Sequence, residues 1–211
     1  MARIARLESE LSAKTTGLVL FDVLNGFLHP PDQEGQDYLK ANNILSNLQR
    51  LLAAARGVGM TTLYPMGAHA ADGSDTVVRR TSTNQNLGPF VEKPAKPTFA
   101  KNSHEAAIVA ELAPATGDVL IPKHRWNAFY KTDLSLHLRV RGIHTVIIAG
   151  GATEIGIAST VFAARDMDLG LVIVSDACAS LRGENPYFFS RIFPRMGRVL
   201  TVEETIACMV K

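Results

Sequence analysis

Four short apolar segments of the chain end in residues that can do chemistry. Asp22 closes Gly17-Leu-Val-Leu-Phe21, and Lys123 follows Asp118-Val-Leu-Ile-Pro122. Gly150-Gly151-Ala152-Thr153 follows Thr145-Val-Ile-Ile-Ala149, and Asp176 follows Leu171-Val-Ile-Val174-Ser175. A carboxyl group can give or take a proton, and an ammonium can balance it or hold an anionic group. The first turn of a helix offers amide groups to an anionic or polarised oxygen. The same residues also admit plainer readings. Asp22 and Lys123 could be an ion pair that fixes two loops, and the glycine pair could be a tight turn. Asp176 reads as a turn cap. Cys178, just past an apolar run, reads as an inert buried thiol rather than a nucleophile. Ser159 and Thr160 lie within a helical stretch, where they pack or bond locally.

The apolar runs alternate with amphipathic stretches, and that alternation gives the frame for these residues. Strands are expected at 17–22, 60–64, 118–122, 145–149, 171–174 and 199–200. Helices are expected at 39–55, 105–112, 132–141, 153–168, 186–193 and 202–210. Ile44, Leu45, Leu48, Leu51 and Leu52 repeat at helical spacing and stop before Gly57 and Gly59. Strands that are apolar throughout are buried on both faces, and their alternation with helices implies right-handed crossovers. The fold class is therefore α/β, a three-layer, doubly wound, Rossmann-like domain with a mostly parallel six-stranded sheet. Such sheets bind ligands beyond the carboxyl ends of their strands, so all four strand ends, Asp22, Lys123, Gly150–Thr153 and Asp176, should face one crevice. Residues 66–101 show no period, and a connection of that length reads as a lid or a partner-binding arm.

Composition bounds the rest. The chain has 211 residues, which fits one domain at 15–211 with an N-terminal arm at 1–14. Lys and Arg total 22 against 20 for Asp and Glu, too small an excess to argue for nucleic acid or an anionic membrane. No apolar run is long enough to span a bilayer, the N-terminus lacks the core of a secretory signal, and the two cysteines cannot build a disulfide framework. A reducing cytoplasm is the expected location.

Three segments together resemble a known family. Phe21-Asp22-Val-Leu-Asn25-Gly26-Phe27 is similar to its first-strand motif. Lys123-His-Arg-Trp126-Asn-Ala-Phe129, followed by Thr132-Asp-Leu134, is similar to its lysine motif. Gly151-Ala152-Thr-Glu-Ile-Gly156, with Ala164 and Val174-Ser-Asp-Ala177 beyond it, is similar to its nucleophile segment. The family is the isochorismatase-like, or cysteine hydrolase, superfamily, matched in order from about residue 15 to 180. The amidase branches carry a nucleophilic cysteine at the position of Gly156. The true isochorismatases also have glycine there and cleave a vinyl ether without a covalent intermediate.

The resemblance implies a hydrolase of a small, anionic molecule, with Asp22 as general acid or base and Lys123 beside it. It further implies an oxyanion hole from the amides of Ala152 and Gly156, a cis peptide at Gly151–Ala152, and a homodimer or homotetramer. Asn25, Phe27, Tyr64, Trp126, Phe129 and Gly151 are expected to line the pocket, although aromatics at strand ends are as often core. Two other readings stay open: hydrolysis of an amide or ester by activated water, and a relative that binds a small molecule without turnover. No cofactor is expected. No metal is expected either, because Leu63-Tyr-Pro-Met-Gly-Ala-His69 keeps one histidine where the nicotinamidase branch has an Asp-x-His motif, and a lone His cannot hold a metal.

Overall fold

A computed structural model describes residues 10–75, 99–180 and 185–211. Six strands form one sheet: β2 (Thr16–Phe21), β3 (Thr61–Gly67), β4 (Val119–Lys123), β5 (Thr145–Gly150), β6 (Gly170–Cys178) and β7 (Arg198–Leu200), in the order β4-β3-β2-β5-β6-β7. Every pairing is parallel. All six residues of β2 are buried, as its unbroken apolar run requires, while edge strand β4 alternates buried and exposed. Each expected strand is present, so the α/β sheet is as read.

The chain leaves β2 toward β3 on one side, and after β4 it returns to β5 on the other. The winding therefore reverses between β2 and β5, where doubly wound sheets open a crevice. Two apolar layers cover the sheet. Leu18 and Leu20 of β2 pack with Leu48, Leu51 and Leu52 of α3 (Ile44–Val58) and with Val202 of α7 (Val202–Cys208). Val19 and Phe21 face the other way, toward Leu134 and Leu138 of α4 (Leu134–Val140) and Val161 of α5 (Ala158–Asp166). Period-two alternation along β2 thus puts Phe21 on the α4/α5 side.

The helices differ from expectation in several places. The expected helix at 39–55 is two helices, α2 (Gln33–Ala41) and α3, because Asn43 takes a left-handed conformation (φ 54°) between them. Left-handed Gly59 then caps α3. The expected helix at 105–112 is reduced to a 3-10 turn, Ala110–Leu112. Its backbone is engaged elsewhere: the carbonyls of Glu105 and Ala107 accept from Gly26 and Asn25, and the Val109 amide donates to Val23. Asn25–Leu28 itself forms a short helix, α1. The helix expected at 132–141 starts only at Leu134, since Thr132 turns its hydroxyl to the Ala128 carbonyl. The helix expected at 153–168 opens with a π turn, Thr153–Ile157, before α5.

At 186–193 a short helix, α6 (Asn185–Tyr187), runs into a π turn and then a 3-10 turn. Helix α7 has a capping box between Thr201 and Glu204 and ends at Cys208. Met209–Val210 then forms β8, which pairs in parallel with β1 (Leu11–Ser12). Residues 1–9 of the expected arm lie outside the described residues. The end of that arm packs on its own chain, with Leu11 buried in the α3 layer. Residues 76–98 of the aperiodic connection also lie outside. No described helix is long and apolar enough to cross a membrane.

Candidate active site

Asp22 begins where the ladder of β2 stops. Its backbone is left-handed (φ 43°), a conformation that Asp tolerates better than most residues. The Asp22 amide donates to the Pro65 carbonyl at 2.9 Å. One carboxyl oxygen, Oδ1, accepts from the Gly67 amide at 2.9 Å, and the other, Oδ2, accepts from Lys123 Nζ at 2.6 Å. Both side chains are buried, each residue keeping 6% of its surface exposed. The sheet order makes this contact possible: β3 lies between β2 and β4, and its last residue, Gly67, pairs with Lys123. Burial pushes the Asp22 carboxyl above its ordinary value. The Lys123 ammonium, the Gly67 amide and His69 oppose that rise without cancelling it.

Phe21 supports the pair from below, with its ring centroid 4.6 Å from Lys123 Nζ. The same ring fills the space in front of Gly156. A Cβ on Gly156 would overlap Phe21 Cε1 and sit 2.8 Å from Cζ. The peptide between Gly151 and Ala152 is cis, as the resemblance implies. The amide and hydroxyl of Thr153 both donate to the Ala179 carbonyl, at 2.9 and 2.8 Å, and so fix the start of the π turn.

The structure divides the expected pocket residues. Phe27 is half-buried, and its ring approaches Gly151: a Cβ there would lie 4.0 Å from Phe27 Cδ1. Trp126 is 46% exposed on the loop after Lys123. Asn25 is turned to the His104 carbonyl at 3.0 Å. Phe129 packs against the α4/α5 core. Tyr64 does not line the crevice. It is fully buried in the α3 layer, and its hydroxyl donates to the Leu112 carbonyl at 3.2 Å. Burial, with Asp118 nearby, pushes its phenol up to about 12. Alternation along β3 points Tyr64 away from the face that carries Lys123.

Cys178 is fully buried, with Sγ against the Ile148 carbonyl at 3.8 Å, and burial raises its thiol far above the ordinary value. Asp176 accepts from the Val202 amide at 2.8 Å and so fixes the start of α7.

Several residues near the pair escaped the sequence reading. Gly67 and Phe21 adjoin strand-end residues and could have been found by that rule. Asp75 stands between His69 and His124, at 3.4 and 3.3 Å, a grouping that no sequence spacing announces. Among the described residues, no group of three or more His, Cys, Asp or Glu could hold a metal ion.

The isochorismatase domain model matches residues 16–204. The chain belongs to the isochorismatase family, a family of hydrolases. It is 34% identical to the isochorismatase family protein YecD of Escherichia coli over 93% of this chain and 97% of that one. It is 27% identical to the ureidoacrylate amidohydrolase RutB of Methylorubrum extorquens, over 78% of this chain and 70% of that one. Among solved structures, an isochorismatase family protein from Burkholderia thailandensis superposes with a TM-score of 0.76 at 28% identity, covering 92% of this chain and 95% of that one. The family assignment covers the whole sheet and every strand end described above.

Proposed function

We propose that this isochorismatase family hydrolase cleaves a small anionic vinyl ether by direct acid catalysis, with Asp22 and Lys123 as catalytic residues and no covalent cysteine intermediate. The observation that carries the reading is the buried 2.6 Å contact between Asp22 and Lys123 at the point where the winding reverses. A raised carboxyl pKa keeps the proton available nearer neutral pH, which an acid catalyst needs. Asp22 gives its proton to the terminal carbon of the enol ether, and the C=C electron pair becomes the new C–H bond. The adjacent carbon is left as an oxocarbenium ion. Water adds to it and returns a proton to Asp22, and the resulting hemiketal collapses to a ketone and an alcohol. Lys123 stabilises the carboxylate while the proton is away. We assign the amides of Ala152 and Gly156 to the polarised oxygen, and Phe27, Gly151 and Trp126 to substrate contact. Water as the nucleophile is supported by the absence of a side chain at Gly156 and by the burial of the Cys178 thiol.

The similarity to an amidohydrolase supports a second reading, in which the same residues activate water against an amide. The two separate by substrate. Purified protein is offered isochorismate, with pyruvate measured, and ureidoacrylate, with its disappearance measured, and Asp22→Ala serves as control. Pyruvate release that depends on Asp22 supports vinyl ether cleavage. Loss of ureidoacrylate alone moves the assignment to amide hydrolysis. Turnover of neither points to a relative that binds without reacting.

A further inference from the structure

Phe99 has no assigned part in the chemistry, yet its placement is specific. It holds a left-handed backbone conformation (φ 57°), which is rare and costly for a bulky residue. Outliers of this kind cluster at sites where the surrounding structure demands them. Phe99 is held there by an added rung beyond the end of β3: the His69 amide donates to the Phe99 carbonyl at 3.0 Å, and the Lys101 amide donates to the His69 carbonyl at 2.7 Å. Its side chain then lies over two glycines. A Cβ on Gly26 would come within 2.7 Å of Phe99 Cε1, and one on Gly67 within 3.1 Å of Phe99 Cβ. Gly67 is the residue whose amide binds Asp22 Oδ1.

The Phe99 ring also stacks on Phe27, with centroids 4.7 Å apart and planes inclined by 18°. Phe27 in turn approaches Gly151. The two rings therefore reach from the end of β3, at Gly67, to Gly151, the residue just past β5. Strand β2, which leads directly into Asp22, lies between those two strands. The stacked aromatic pair thus joins the Gly67 segment, whose amide holds Asp22, to the Gly151 segment on the other side of β2, and both rings are only half-buried.

We propose that Phe99, stacked on Phe27, is a specificity-determining wall of the Asp22 crevice and selects substrates that carry a flat, unsaturated group next to the reacting bond. This rests on the reading that the Asp22–Lys123 crevice is the active site. Flat π systems gain stacking energy against such a wall beyond simple burial, whereas a puckered saturated ring of the same size does not. The glycines at 26 and 67 are what let Phe99 pack against the segment whose amide holds Asp22.

The test uses binding of flat and saturated probes, so it does not depend on turnover. Benzoate and cyclohexanecarboxylate, and separately benzamide and cyclohexanecarboxamide, are titrated into the full-length protein by NMR. Wild type should favour the aromatic member of at least one pair by roughly five-fold. Phe99→Ala should abolish that preference, and Phe99→Trp should retain it. Thermal melting checks that the variants are folded, and Phe99→Leu replaces Phe99→Ala if the latter does not fold. The wall is overturned if wild type shows no aromatic preference in either pair, or if the preference survives in the folded Phe99 variant. Loss of preference in a protein that turns over neither isochorismate nor ureidoacrylate would keep the wall and sink the hydrolytic reading. Turnover with an unchanged preference would do the reverse.

Discussion

Asp22 and Lys123 touch at 2.6 Å although 101 positions separate them in the chain. The contact exists because β4 lies two places from β2, so both side chains leave the sheet at the same end. Lys123 offsets the desolvation of Asp22 only in part, and burial still sets the direction of the Asp22 shift. Such a pair is weak evidence for stability and stronger evidence for function.

The first prediction concerns pH. If protonated Asp22 is the working acid, kcat/KM falls as pH rises through its pKa. Lys123 and its hydrogen bond lower that pKa, so removing the ammonium raises it. Lys123→Met should therefore move the basic limb to higher pH, with a reduced maximum. A pH–rate profile of both proteins checks this, and a limb that moves to lower pH would reverse the assigned roles.

The same shift has a consequence for folding. A carboxyl whose pKa is raised in the folded state binds its proton more tightly there than in the unfolded chain. Its contribution is fully present below the ordinary carboxyl value of 3.8 and is lost as pH rises through the folded pKa. Asp22→Asn removes this dependence. The difference in melting temperature between wild type and Asp22→Asn should therefore change across the pH range just above 3.8 and level off beyond the folded pKa. A difference that stays constant across that range would mean that Asp22 titrates at its ordinary value.

Much of this site is legible in the sequence, for one physical reason. Apolar runs locate strands, and ligands gather at strand ends, so Asp22, Lys123 and Gly151 can be placed before any coordinates. Tyr64 shows where that rule stops. Its strand, Thr61–Gly67, shows no alternation of polar and apolar residues, and such a run does not say which face each residue takes, so its burial in the α3 layer is invisible. The expected helix at 105–112 fails because its carbonyls are claimed by Asn25 and Gly26, a long-range competition that local propensity does not contain. Phe99 is hidden for both reasons: it lies in an aperiodic stretch, and its importance comes from a left-handed backbone and from contacts across 72 positions of chain to Phe27.

Tyr64 and Cys178 can be tested as core residues. Tyr64→Phe removes the bond its hydroxyl donates to the Leu112 carbonyl and the longer one it accepts from Arg56 at 3.4 Å, and should cost about 1 kcal/mol of stability by urea denaturation while leaving KM unchanged. Cys178→Ala should retain turnover. In the native protein Cys178 should also resist iodoacetamide, since a buried thiol with a raised pKa presents almost no thiolate. Alkylation of native Cys178 with loss of activity would restore a thiol to the mechanism.

The last prediction joins Gly156 to Phe21. Two accounts of the missing side chain differ in what they expect. If Gly156 were merely an empty place, adding a methyl group would be harmless. The Phe21 ring instead occupies that place, is fully buried and also faces Lys123, so it has little room to retreat. Overpacking of this kind costs about 1–3 kcal/mol. In a chain of this size that lowers the melting temperature by roughly 2–12 °C. Gly156→Ala should show that loss, and Phe21→Leu combined with Gly156→Ala should recover part of it. The coupling appears as a double variant more stable than the two single losses added together would allow. Simple additivity in the double-mutant cycle would mean that the ring and the glycine are independent. The glycine at 156 would then owe nothing to Phe21.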